Sequence, residues 1–139
     1  MSLAVTRLSD DGHALDLVDL SQQTEADDGR LIVRPDGTAM LAAGHYSPTL
    51  KSQVTTLHRF DPATRTSTPL RQLRGVRLQS FVQISADVAA VVGNDDRTGV
   101  VWFIDLASGE DSPGSAGRVD IPGETLIYGA TSDSDGRAF

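Results

Sequence analysis

The chain contains two segments that are apolar almost without interruption, VAAVVG at 88–93 and GVVWFID at 99–105. A strand with one face in water alternates apolar and polar positions, so these segments read as strands covered on both faces. SQVTTLHRF at 52–60 alternates more clearly and reads as a more peripheral strand. Short polar clusters separate the apolar runs. The pattern predicts strands over 30–34, 39–44, 53–60, 68–73, 78–84, 88–92, 99–105, 118–121 and 125–130. Helix signals are scarce.

The polar clusters repeat. LSDDG (8–12), VRPDG (33–37), ISADV (84–88) and SDSDG (132–136) have the chemistry of tight turns: Pro presets φ, Asp accepts a backbone hydrogen bond, and Gly tolerates positive φ. A second repeat ends a strand in Asp and continues into small polar residues, as in VDLSQQT (18–24), FDPATRT (60–66) and FIDLASGE (103–110). The order of turn, buried strand, strand ending in Asp, turn and outer strand occurs over 30–75 and again over 76–117. The fold class expected is all-β, with two complete four-stranded antiparallel units and partial units at 1–29 and 118–139.

VRPDGTAML with RFDPATRT, and ISADVAAVV with FIDLASGE, resemble the repeats of bacterial β-propellers of the WD40-like and TolB-like kind. There an SPDG-type hairpin precedes a strand ending in D-L-x-T/S-G. The resemblance covers 30–139 and, only in part, 3–29, and implies one propeller-like unit, 1–139, whose first blade is degenerate. Blades take roughly 40 to 45 residues, and closed propellers typically have four or more. One copy of 139 residues is too short to close such a ring. Open sheets expose strand edges that invite pairing, so self-association or a partner chain is expected.

The length fits one domain, and the composition supplies a core of small aliphatic residues with few aromatic rings. There is no cysteine, hence no disulfide and no thiolate metal site, which favours the cytoplasm. The opening MSLAVTRLSDDG has no apolar run of signal-peptide length, and no segment approaches the roughly 20 apolar residues that span a bilayer. A formal charge of -7 disfavours nucleic acid and anionic lipid as partners. The charge is uneven. Residues 51–77 carry six cations against Asp61 alone, and residues 1–29 carry seven carboxylates against Arg7 alone, so the two regions are expected to attract each other.

Motifs for chemistry are sparse. His13, His45 and His58 lack metal-ligand spacing, and TSDSDG (131–136) has only part of a calcium loop, so no metal site and no cofactor are expected. SDSDGRAF is also similar to a sialidase-type Asp box, itself a structural hairpin. No G-x-S-x-G, G-x-G-x-x-G or P-loop is present, so no catalytic residue is assigned. The Ser/Gly/Pro-rich stretch 111–118 reads as a flexible connection, the acid pairs Asp10–Asp11, Asp27–Asp28 and Asp95–Asp96 as solvated turn residues, and Trp102 as core. GNDDRTG (93–99) is a binding loop only by position. Arg71, Arg74 and Arg77 could bind phosphate or a carboxylate-bearing partner, since guanidinium presents a rigid donor fork.

These features point to a non-enzymatic interaction module that assembles with itself or with another chain. The alternative is a fragment of the propeller domain of a larger enzyme, as the resemblance to prolyl-oligopeptidase-like hydrolases allows. A sugar-binding propeller would need more stacking aromatics than the single Trp supplies.

Overall fold

The computed structural model describes residues 4–8, 14–19, 28–61 and 63–121. Strands β1 (Ala4–Leu8) and β2 (Ala14–Asp19) pair antiparallel. β3 (Asp28–Val33), β4 (Ala39–Ser47), β5 (Ser52–Asp61) and β6 (Thr66–Arg74) form one sheet in chain order. β7 (Arg77–Gln83), β8 (Val88–Asp95), β9 (Thr98–Asp105) and β10 (Arg118–Asp120) form a second. Both are antiparallel meanders, and no helix occurs among the described residues, so none is long and apolar enough to cross a membrane. The strand at 125–130 and the hairpin at 132–136 lie outside the described residues.

The repeated aspartates are turn makers. Asp36 Oδ1 accepts the Thr38 N–H at 3.0 Å, Asp61 Oδ1 accepts the Ala63 N–H at 2.9 Å, and Asp105 Oδ1 accepts the Ala107 N–H at 2.8 Å. In each the carboxylate caps the amide two residues on, which folds the chain back without a long loop. At VRPDG, Gly37 takes φ +88° and joins β3 to β4. ISADV joins β7 to β8.

The two sheets pack face to face. Cross-strand register puts Ile32, Met40, Ala42, Leu57 and Leu73 on one face of the first sheet, and Leu78, Phe81, Val91, Val100 and Ile104 on the facing side of the second. A connection of only Gly75 and Val76 passes from β6 to β7, which holds the sheets in contact at that end. Thr55, in this interface, satisfies its buried hydroxyl by donating to the Val76 carbonyl at 3.0 Å. The opposite faces are apolar too: Leu41, Ala43, Val54 and Phe60 on the first sheet, and Val82, Ala90 and Val92 on the second, are all buried.

Three expectations about the strands need correction. SQVTTLHRF is not peripheral, because β5 lies between β4 and β6 and buries Thr55, Thr56 and His58 along with its apolar positions, leaving Arg59 exposed. GVVWFID is the less covered strand: Trp102 and Phe103 are half-buried where only the three-residue β10 flanks β9. The second sheet does not close at residue 117. Arg118–Asp120, expected to open a further unit, is its outermost strand.

The Ser/Gly/Pro-rich stretch is a folded turn within that sheet, not a flexible connection. Ser112 N–H donates to the Phe103 carbonyl at 3.0 Å, and Phe103 N–H donates to the Gly117 carbonyl at 3.1 Å. The Ser115 hydroxyl donates to the Ser112 carbonyl at 2.7 Å. These bonds carry the chain out of β9 and return it as β10.

Candidate functional site

Two concave surfaces lie where the sheets meet. The first runs along their outer strands. Trp102 on β9 and Arg71 on β6 face each other across the interface, and both bond one oxygen of Asp111: the indole N–H at 2.7 Å and the guanidinium at 2.9 Å. Arg71 and Arg118 flank the indole, with guanidinium carbons 5.5 and 5.8 Å from the ring centroid, within cation–π range. Arg118 also bonds Asp95 and Asp120 at 2.8 Å each, and donates to the Arg74 carbonyl at 3.4 Å. The Trp102 hydrogen bond, with smaller help from the Arg71 hydrogen bond and charge, holds the Asp111 carboxyl below the usual aspartate range against the opposing effect of desolvation. Leu70, Ser108, Gly109 and Glu110 complete a shallow depression beside Arg71 and Asp111.

The second surface is a depression of about 540 Å³ at the end of the sheets where β4 turns into β5 and β8 into β9. Tyr46, Lys51, Gln53, Arg77, Gln79 and Asp96 line it. Gly75 lines it as well: its N–H donates to the Gln53 carbonyl at 2.9 Å, and at φ +72° a Cβ there would sit 3.0 Å from a carboxylate oxygen of Asp95. Lys51 and Asp96 hold left-handed backbone, at φ +51° and +53°.

The three arginines singled out from the sequence separate. Arg71 is engaged with Asp111 and Trp102. Arg74 lies on the other face of β6, exposed, and Arg77 lines the end depression. The carboxylate that Arg71 meets is Asp111, and the acidic side chains before residue 28 lie outside the described ones, as does His13. Trp102 is a half-buried staple more than a core residue. Nothing local marks this role, because its partners come from residues 71, 111 and 118 on separate strands and turns. Asp95 and Asp96 part company, one bonded to Arg118 and the other at the rim of the end depression.

His58 is 4 % exposed, and neither ring nitrogen has a hydrogen-bond partner. Burial, with a smaller contribution from His45, pushes its pKa below the ordinary histidine value. No group of three or more His, Asp or Glu side chains among the described residues is placed to hold a metal ion.

No family profile matches the sequence, and no curated protein is matched by it. Among solved structures, the Dos1 propeller superposes with a TM-score of 0.60 at 14% sequence identity, over 96% of this chain and 35% of that one. With its two four-stranded antiparallel sheets, the protein is a β-propeller-like chain. Each sheet is a blade, β3 to β6 the first and β7 to β10 the second. The chain spans about a third of the length of the propeller it matches.

Proposed function

We propose that the chain is a non-enzymatic interaction module of the bacterial WD40-like or TolB-like kind, which completes a propeller with further copies of itself and works in the cytoplasm. The observation that carries this reading is the pairing of complete blades with an incomplete span: nearly all of the chain superposes on a propeller, yet it covers 35% of that structure. Three copies would supply the length of one such propeller. Apolar residues buried on both faces of each sheet within one chain suit the blades of a propeller. Arg74 and Arg77, exposed and without a side-chain partner among the described residues, are cations available to a contacting chain. The cytoplasmic reading rests on the cysteine-free composition.

Light scattering across a dilution series tests it. A discrete species of about three chain masses that persists on dilution is the expected result. A folded monomer at all concentrations would reject self-completion. The 35% span fits equally a portion of a longer propeller chain attached to an enzyme. A gene product that continued into a G-x-S-x-G segment would favour that second reading.

A further inference from the structure

We propose that the end depression is a binding site for a ligand carrying a single carboxylate on an apolar body. The site lies within one chain and goes beyond the ring-completion reading. Its volume of about 540 Å³ falls within the range of small-ligand sites. Four segments converge on it: the β4–β5 turn with Tyr46 and Lys51, the start of β5 with Gln53, the β6–β7 connection leading into Arg77 and Gln79, and the β8–β9 turn with Asp95 and Asp96.

The charges around it are unbalanced in favour of an anion. Lys51 and Arg77 are exposed, and neither meets a carboxylate or other side-chain partner among the described residues. Of the two carboxylates at the rim, Asp95 is already held by Arg118 at 2.8 Å. That leaves two cations facing one carboxylate, Asp96. An Arg fork beside an ammonium suits a carboxylate, and the Gln53 and Gln79 amides can donate further hydrogen bonds. Asp96 and the overall charge of -7 act against polyanions such as phosphates, so a singly charged acid fits best. Tyr46, 50% exposed, supplies an aromatic ring at this depression for the apolar part of the ligand.

The rim is built at some conformational expense. Three described residues other than glycine adopt positive φ, and two of them, Lys51 and Asp96, stand at this depression. Such backbone is retained where the surroundings enforce it, and here it fixes the positions from which both side chains project.

One carboxylate chemistry could come from a free small acid or from the C-terminus of a peptide. The test therefore follows backbone amide shifts by NMR on titration with 3-phenylpropionate, with its amide 3-phenylpropanamide, and with acetyl-Gly-Phe bearing a free terminus. Saturable shifts around residues 46–53, 75–79 and 94–96 are expected with the acids and not with the amide. Arg77→Gln and Lys51→Asn, the latter because Asn tolerates left-handed backbone, should each weaken binding by about tenfold or more. Arg74→Gln should leave it unchanged. Tighter binding of the small acid or of the peptide upholds the site and names its source. Equal shifts from acid and amide, variants that bind like the parent, or no saturation by about 10 mM would overturn the proposal.

Discussion

Trp102 donates its indole N–H to Asp111 at 2.7 Å, and the same carboxylate oxygen accepts from Arg71 of the neighbouring blade at 2.9 Å. One oxygen atom thus joins two sheets at their outer strands, where the core gives way to the partly buried Leu70 and Trp102. Exposed ion pairs alone contribute little. Here the charged acceptor also serves an indole that would otherwise keep an unbonded donor in a half-buried position.

Removing that acceptor should loosen the blade–blade contact. Asp111→Ala is expected to lower stability by about 1–2 kcal/mol in urea denaturation, and Trp102→Phe by about 1 kcal/mol, with a double variant that falls short of the sum. The parent should also show an acid dependence that Asp111→Ala lacks. The Asp111 carboxyl is held below its ordinary value of 3.8, so its contribution is fully present above that value and is lost as the pH falls through the lower, folded-state value. Additive variants with identical acid profiles would show that the shared oxygen couples nothing.

Arg118 tests whether β10 depends on its side chain. β10 has three residues, and Arg118 links it to the end of β8 through Asp95 and to the end of β6 through the Arg74 carbonyl. An ammonium cannot reproduce that fork. Arg118→Lys should therefore cost about 1 kcal/mol and speed hydrogen exchange at Val119 and Ile121 more than in β8. Unchanged exchange there would mean that the backbone ladder alone secures the strand.

How much of this was legible in the sequence follows from the range of each interaction. The hairpins were readable because Asp36, Asp61 and Asp105 act on amides two residues away, within one motif. The buried character of β8 was readable because its apolar run is uninterrupted. β5 misled, since Thr55 is made compatible with burial by a carbonyl 21 residues away. The role of residues 111–117 was hidden for a similar reason. Ser, Pro and Gly in sequence suggest a loose linker, and only the hydrogen bonds to Phe103 make it a turn. The outer staple and the end depression are each assembled from turns or strands of both blades, so no spacing in the chain announces them.

His58 should make the protein sensitive to mild acid. Its ring is buried on β5 opposite Leu41, without a hydrogen-bond partner, and burial lowers its pKa from the ordinary 6.5. The unfolded chain therefore binds a proton that the folded chain resists. Stability is fully present above 6.5 and declines as the pH falls from there towards the lowered, folded-state value. His58→Leu removes both the unbonded polar ring and its titration. It is expected to raise stability near neutral pH by about 1–2 kcal/mol and to flatten the slope below, as read from thermal melts at a series of pH values. A parent-like slope in the variant would assign the acid sensitivity elsewhere.

Two strand glycines separate close approach from conformational freedom. Neither Gly44 nor Gly93 has positive φ, so alanine is compatible with the backbone angles of both and would by itself favour folding slightly. Their surroundings differ. A Cβ at Gly44 would stand 3.1 Å from the Leu78 Cβ, a side-chain contact that small shifts between the sheets can relieve. A Cβ at Gly93 would fall on the carbonyl oxygen of Arg77, far inside van der Waals contact, and 3.0 Å from Val76 Cγ1. That oxygen belongs to β7, paired with β8 at the register irregularity after Leu78, and it cannot yield without displacing the β6–β7 connection. Gly93→Ala should therefore lower stability by about 3 kcal/mol, whereas Gly44→Ala should stay within about 1 kcal/mol. Because the displaced strand carries Arg77, whatever Gly93→Ala protein remains folded should also lose affinity at the end depression, while Gly44→Ala protein binds normally. Equal destabilisation by the two substitutions would mean that β7 gives way as easily as a side chain, and that the close approach at Gly93 does not position Arg77.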